Sequence, residues 1–369
     1  MEKGKISSLQ MAILLYPTII ATAILSFPSK IASFVGNDLW MPPIIASIAG
    51  LIVIFIAFKL HKYYPGKTII QQNEEILGRI PGKIISFIIL FFYIESTGEI
   101  TRAYSEFIVT SFLLSTPQIV VISSMVLLCA FCVYGGLEVL ARVGQLLFPV
   151  FVLPIFLLLI LIGPDLDFGN IFPLFDVKIK SLMKASFQDA GLFAEYFLII
   201  FLLPFLSDQG KGRKYGIISL LGVMMTLMIT NLVVLLVLGP TVALKTYPLM
   251  NVSRFVQLGG FFENMEAVVM AVWIAGAFIK ISVYFYAVVL GIAQWLNLSD
   301  FRPIIWPIAI LIVQLSYWRI SSTMQLQKFD TTIFPFYSTI VQILLPLLLL
   351  GIAAIRQKKA MNTSNGKGK

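Results

Sequence analysis

At 369 residues, 59% hydrophobic and only 12% charged, with mean hydropathy +0.93, the chain has too little polar surface for a soluble protein of its size. Soluble domains carry about 25% charged residues. This excludes a soluble enzyme, a nucleic-acid binder and a disordered chain, and leaves an all-α polytopic membrane protein. The one histidine, His61, read as a loop residue, is poor material for a metal or catalytic site. No nucleophile–base–acid set is visible, and neither cofactor nor metal is expected.

A membrane helix needs about 20 largely apolar residues. Ten such spans are predicted, at roughly 9–35, 40–60, 84–112, 118–137, 139–163, 178–207, 215–238, 264–296, 303–320 and 332–355. The longest connections are 61–83, 164–180 and 239–263. Ten spans put both termini on one side. With the N-terminus in the cytoplasm, 17 of the 27 Lys and Arg lie inside, eight lie outside, and Arg102 and Lys280 remain within spans. That bias orients the chain and accounts for the +9 charge as attraction to anionic lipid rather than to nucleic acid. Lys3, Lys5, the apolar stretch 11–20 and Ala21-Thr22-Ala23 imitate a cleaved signal peptide. Pro17 interrupts that stretch, however, and apolar residues continue to Val35.

Polar groups in hydrocarbon are costly, so they mark interiors and pathways. In the first span, Pro17 and Pro28 frame Thr18, Ala21, Thr22, Ala23 and Ser26. Each proline removes a backbone donor, as in the broken helices of transporters; a simple kink is the other reading. In the third span Glu95, Glu99, Arg102 and Glu106 share one helical face. They form either a structural charge network or a stripe facing substrate or protons. Arg102 can pair with Glu99 or Glu106, which leaves Glu95 without a local partner, and an unpaired buried carboxyl holds a proton. The sixth span carries Asp189, Gly191 and Glu195 near its middle, which fits a second break. In the eighth, Glu263, Glu266 and Trp273 precede Lys280, which needs a carboxylate or carbonyls at that depth, or replaces a bound cation. Cys129 and Cys132 form C-x-x-C inside the fourth span without further ligands, and are read as packing. Breaks five spans apart divide the ten as five plus five, the pattern of an inverted repeat. The repeats would cover 9–163 and 178–355, ahead of a basic cytoplasmic tail at 356–369.

In order along the chain stand Ile6-Ser7-Ser8-Leu9-Gln10, Ala23-Ile24-Leu25-Ser26-Phe27-Pro28, Tyr64-Pro65-Gly66-Lys67-Thr68 with Leu77-Gly78, Tyr247-Pro248-Leu249 with Arg254, and then Glu263, Glu266, Trp273 and Lys280. In these the chain resembles the spore germination permease-like family, the B subunits of bacterial nutrient germinant receptors. That family belongs to the amino acid/polyamine/organocation transporter superfamily. The resemblance implies an amino acid permease-like fold with helices 1 and 6 unwound at the site. It also implies a place in the spore inner membrane beside a larger A subunit and a lipoprotein C subunit, and a small nutrient ligand, typically an amino acid. The family's glycines in helix 1 match Ala21 and Ala23 here. On these grounds the amides of Ala21, Thr22, Ala23 and Ile24, and of Gly191, Leu192 and Phe193, are expected to hold a ligand carboxylate. Tyr93, Thr97, Ser282 and Tyr286 are expected to line the pocket, and Glu95, Glu99, Arg102, Glu195 and Lys280 to form a charge or coupling network. A nutrient sensor, a proton-coupled amino acid transporter and a scaffold subunit with a vestigial pocket all fit these residues.

Overall fold

The computed structural model describes residues 2–255, 265–320 and 322–366; Glu263 lies outside them. The helices are α1 (Ser8–Val35), α2 (Pro42–Tyr63), α3 (Ile69–Leu77), α4 (Arg79–Ser111), α5 (Gln118–Tyr134), α6 (Leu137–Leu161), α7 (Ile179–Phe193), α8 (Ile199–Leu202), α9 (Gln209–Leu238), α10 (Pro248–Ser253), α11 (Met265–Trp295), α12 (Ile305–Trp318), α13 (Thr323–Thr332), α14 (Phe334–Thr339) and α15 (Leu345–Gly366). Among the described residues, β pairing is confined to one isolated bridge, Ile6 to Leu206. Eight helices among the described residues are long and apolar enough to cross a membrane, and shorter apolar helices occupy Gln118–Tyr134 and Arg302–Trp318, where the fourth and ninth spans were expected. The 17 residues of α5, confined between Pro117 and Gly135, rise only about 25 Å. That is short of a hydrocarbon core of about 30 Å. Large apolar side chains such as Phe91, Leu128, Leu153, Ile160 and Leu348 face outward, as lipid requires. The chain is a multi-pass membrane protein.

Two helices form the centre. Every residue of α11 from Ile279 to Leu290 is buried, the condition of a helix apolar on all sides. It lies against α1, α4, α5 and α6, while α1 also meets α7 and α9. The start of α1 is fixed by a capping box in which the Ser7 hydroxyl accepts from the Gln10 amide and the Gln10 side chain accepts from the Ser7 amide. The Ser8 amide and hydroxyl then donate to the Asp208 carboxylate at 2.7 and 2.8 Å. Near the other terminus, Arg356 donates to the Glu75 carbonyl at 3.1 Å. The connection 61–83 holds the capped helix α3, and His61 sits buried in the last turn of α2 rather than in a loop.

The two expected breaks fare differently. Helix 1 is not broken: α1 is a continuous α-helix through residues 21–24, with both prolines inside it. Alanine favours helix over glycine by roughly 1 kcal/mol per residue, so Ala21 and Ala23 hold the turn that glycines would release. The close approach is supplied from the other side. A methyl at Gly276 of α11 would meet the Phe151 ring and come within 2.9 Å of the Ala21 Cβ. The sixth span does depart from α-helix, but one turn beyond Gly191. There α7 gives way to a 3-10 turn over Ala194–Leu198, then to the short α8, then to a second 3-10 turn containing Pro204. Gly191 is small for packing, since a methyl there would lie 3.4 Å from both Phe334 and Pro335.

Gly276→Ala is expected to destabilise the protein by about 1–3 kcal/mol through overpacking. Gly351→Ala, inside α15 where nothing lies within 4 Å, is expected to cause no loss and to raise stability by up to about 1 kcal/mol through helix propensity. Thermal unfolding of the two variants in detergent checks the contrast.

Candidate functional site

A cavity of about 80 Å³ lies between α1, α4, α7 and α11, beneath α13, the start of α14 and the segment before α10. Roughly 10–15 Å³ of such space holds one water, so there is room for a small organic molecule. Its floor is an ion pair. Lys280 Nζ donates to Glu195 Oε2 at 2.7 Å, to Glu195 Oε1 at 3.0 Å and to the Thr22 hydroxyl at 2.7 Å. An ammonium has three protons to give, and all three are placed. Both charged side chains are at most 2% exposed. The 3-10 turn carries Glu195 to this position, so α1, the sixth span and α11 meet at one node.

A second ion pair lines the same cavity: Lys30 Nζ pairs with Asp330 Oδ2 at 2.7 Å and stands 4.6 Å from the Phe27 ring. Glu99 lies against the Asp330 carboxyl. Trp273 and Tyr247 line the wall, both held by Phe107, with ring centroids at 5.3 and 5.0 Å. Burial pushes the Tyr247 hydroxyl up to about 12, so it remains a donor at neutral pH.

Of the expected site residues, Thr22, Glu99, Leu192, Glu195 and Lys280 meet at this cavity. The others lie elsewhere. Ala21 packs at the crossing with Gly276, and Ala23 is fully buried outside the cavity lining. Ile24 faces a separate apolar gap beside Leu249 and Pro154. Tyr93 donates to Gln342 at 3.2 Å, Gln342 donates to Ser338, and Ser338 donates to the Gly191 carbonyl at 2.8 Å, a relay that ties the last span to α4 and α7. The Thr97 hydroxyl donates to the Tyr93 carbonyl one turn back. The Phe193 carbonyl faces Gly50 of α2. Ser282 sits by Cys129 and Cys132. Tyr286 is at the end of the molecule near the chain's start, where its hydroxyl donates to Glu2 at 3.3 Å.

The third-span stripe divides among partners. Arg102 pairs with Glu106 at 3.0 Å, and Gln118 adds a bond to the same carboxylate. Glu95 is not partnerless: Arg319 Nη2 stands 2.6 Å from its Oε1 and packs over the Phe329 ring. That partner follows α12, so helical spacing along α4 gives no sign of it.

Lys30, Asp330, Trp273, Tyr247 and Phe334 were not among the expected lining residues. One signal was present: Thr22, Ser26 and Lys30 recur every four residues along α1 and all line the cavity. Asp330 lies on α13, ahead of the last expected span, and the sequence carries no signal for it.

The pair at the cavity floor generates a prediction. Breaking a buried ion pair leaves a charge without compensation and costs about 3–5 kcal/mol, whereas removing both charges often costs little. Lys280→Met and Glu195→Gln are each expected to lower unfolding stability strongly, and the double variant to recover most of the loss. Additive losses in a double-mutant cycle would contradict the pair.

Among solved structures the fold is similar to three transporters. A Na⁺-coupled sialic acid symporter in its substrate-bound outward-open state gives a TM-score of 0.68 at 11% identity, covering 95% of this chain and 90% of that one. Mhp1, a nucleobase-cation-symport-1 family transporter in a closed conformation with bromovinylhydantoin, gives 0.69 at 11% identity over 92% and 75%. MhsT in complex with L-phenylalanine gives 0.65 at 13% identity over 96% and 89%. At such identities the likeness is one of fold, and the fold is that of permease-type transporters. In sequence, the chain is 24% identical to spore germination protein KB of Bacillus subtilis (strain 168), over 100% of this chain and 99% of that one. It is 22% identical to spore germination protein GerQB of Bacillus cereus over 90% and 91%. The model of the spore germination protein family matches residues 5–324, and the chain belongs to that family.

Proposed function

We propose that this protein is the nutrient-sensing B subunit of a spore germinant receptor, binding a small nutrient, an amino acid by class, in the cavity between α1, α4, α7 and α11. The observation that carries this reading is the cavity itself, enclosed within a spore germination family member and floored by the Thr22–Glu195–Lys280 node. Thr22, Leu192, Glu99, Glu195 and Lys280 are the residues assigned to ligand contact or coupling. The two repeats at 9–163 and 178–355 would move against one another around the site. The chain would sit in the spore inner membrane with both termini cytoplasmic, beside an A subunit and a lipoprotein C subunit. The signal would be a shift in population: a ligand bound more tightly in one helix arrangement biases the assembly towards it. A differential affinity of about 2–3 kcal/mol is enough for a useful response.

A proton-coupled amino acid transporter is the second reading, supported by the transporter fold of the structural neighbours. Two measurements separate them. Spores lacking the gene are expected to lose germination to a particular nutrient, tested singly against amino acids and sugars, and the protein is expected to co-purify with A and C subunits. Concentrative uptake of a radiolabelled amino acid by proteoliposomes, with germination unchanged in the deletion strain, would favour the transporter.

A further inference from the structure

We propose that the cavity takes its ligand by a protonated amine, received between the carboxyls of Glu99 and Asp330. This rests on the ligand-binding reading above and assigns the ligand's charge and the residues that meet it. The cavity is lined by two ammoniums, Lys30 and Lys280, against three carboxyls, Glu99, Glu195 and Asp330. Lys280 has given its three protons to Glu195 and Thr22. Lys30 is paired with Asp330. Glu99 is only 9% exposed and makes no ion pair among the described residues; its neighbour is the second acid, Asp330. Arg102 and Arg319, the arginines nearest in sequence or space, are engaged by Glu106 and Glu95. Two carboxyls in contact in a buried site hold a proton between them when no cation is present; a ligand ammonium entering the cavity takes the place of that proton, which leaves to solvent, and donates to both carboxyls.

The rest of the wall selects what kind of cation. Leu25, Ile100 and Leu192 are apolar, and Trp273 and Tyr247 present aromatic rings, which favour an organic ammonium through their faces. A bare alkali ion would leave most of the 80 Å³ unfilled. The alternative anchor, free backbone amides holding a carboxylate, is not offered, because residues 21–24 and 191–193 are within α-helices. The ligand's amine is therefore the required group and its carboxylate an accessory one.

The test uses the full-length protein in nanodiscs and ligand-induced thermal shifts. The probes are the standard amino acids, their decarboxylated amines (ethylamine for alanine, isobutylamine for valine, isoamylamine for leucine), their deaminated acids (propanoate, 3-methylbutanoate, 4-methylpentanoate), glucose, and NaCl or KCl alone. At least one amino acid and its amine are expected to bind, with the deaminated acid at least tenfold weaker. Glu99→Gln is expected to weaken amine binding at least tenfold, and Asp330→Asn, on a short helix, reads the same site if the first variant does not fold. Several results would overturn the ammonium anchor: deaminated acids binding as well as amines, undiminished binding in both variants, or the full shift from salt alone. Binding of glucose alone would also overturn it while leaving the sensor reading standing. Binding of no probe would remove both.

Discussion

The ion pair between Lys280 and Glu195, completed by the Thr22 hydroxyl, is the constraint around which the helices are arranged. A lysine inside a membrane protein and out of reach of water must be matched by a carboxylate with good geometry, or it will not stay charged. Each of the three residues comes from a different span, so satisfying the lysine fixes α1, the sixth span and α11 relative to one another. That requirement gives the 3-10 turn at Ala194–Leu198 a physical role. A tighter turn changes the direction in which Glu195 projects, at some cost in hydrogen-bond geometry. The lysine recovers that cost through charge-assisted bonds.

The continuity of α1 belongs to the same logic. An unwound first helix would offer its own amides and carbonyls to a ligand. Here Ala21, Thr22 and Ala23 keep the helix closed, and Thr22 spends its hydroxyl on Lys280. The polar wall of the cavity is then made by side chains, among them Lys30, Asp330 and Glu99. Two short helices, α13 and α14, and the segment before α10 contribute to the wall.

How much of this was legible in the sequence follows from the range of each interaction. Helical class and the positions of apolar segments depend on local hydrophobicity, and were readable. That a charge such as Lys280 in an apolar run needs a partner inside the protein was readable too, and it is paired with Glu195. Their pairing with each other was not readable, nor was that of Glu95 with Arg319 or of Lys30 with Asp330, since partners on distant helices leave no periodic trace. Gly191 misled because a glycine signals close packing as readily as a break; it serves Phe334 and Pro335, and the helix changes form a turn later. Tyr286 and Tyr93 share helices with cavity residues but point to other partners, Glu2 and Gln342. Choosing lining residues by helix alone does not resolve which face they occupy.

The central claim is that a small molecule occupies the cavity above the Thr22–Glu195–Lys280 node. A structure of the protein determined with a nutrient that triggers germination tests it most directly. The account predicts density in contact with Glu99, Leu192 and Trp273, with Lys280 still paired to Glu195. Density at another place on the chain, or an empty cavity while the nutrient is bound, would contradict it.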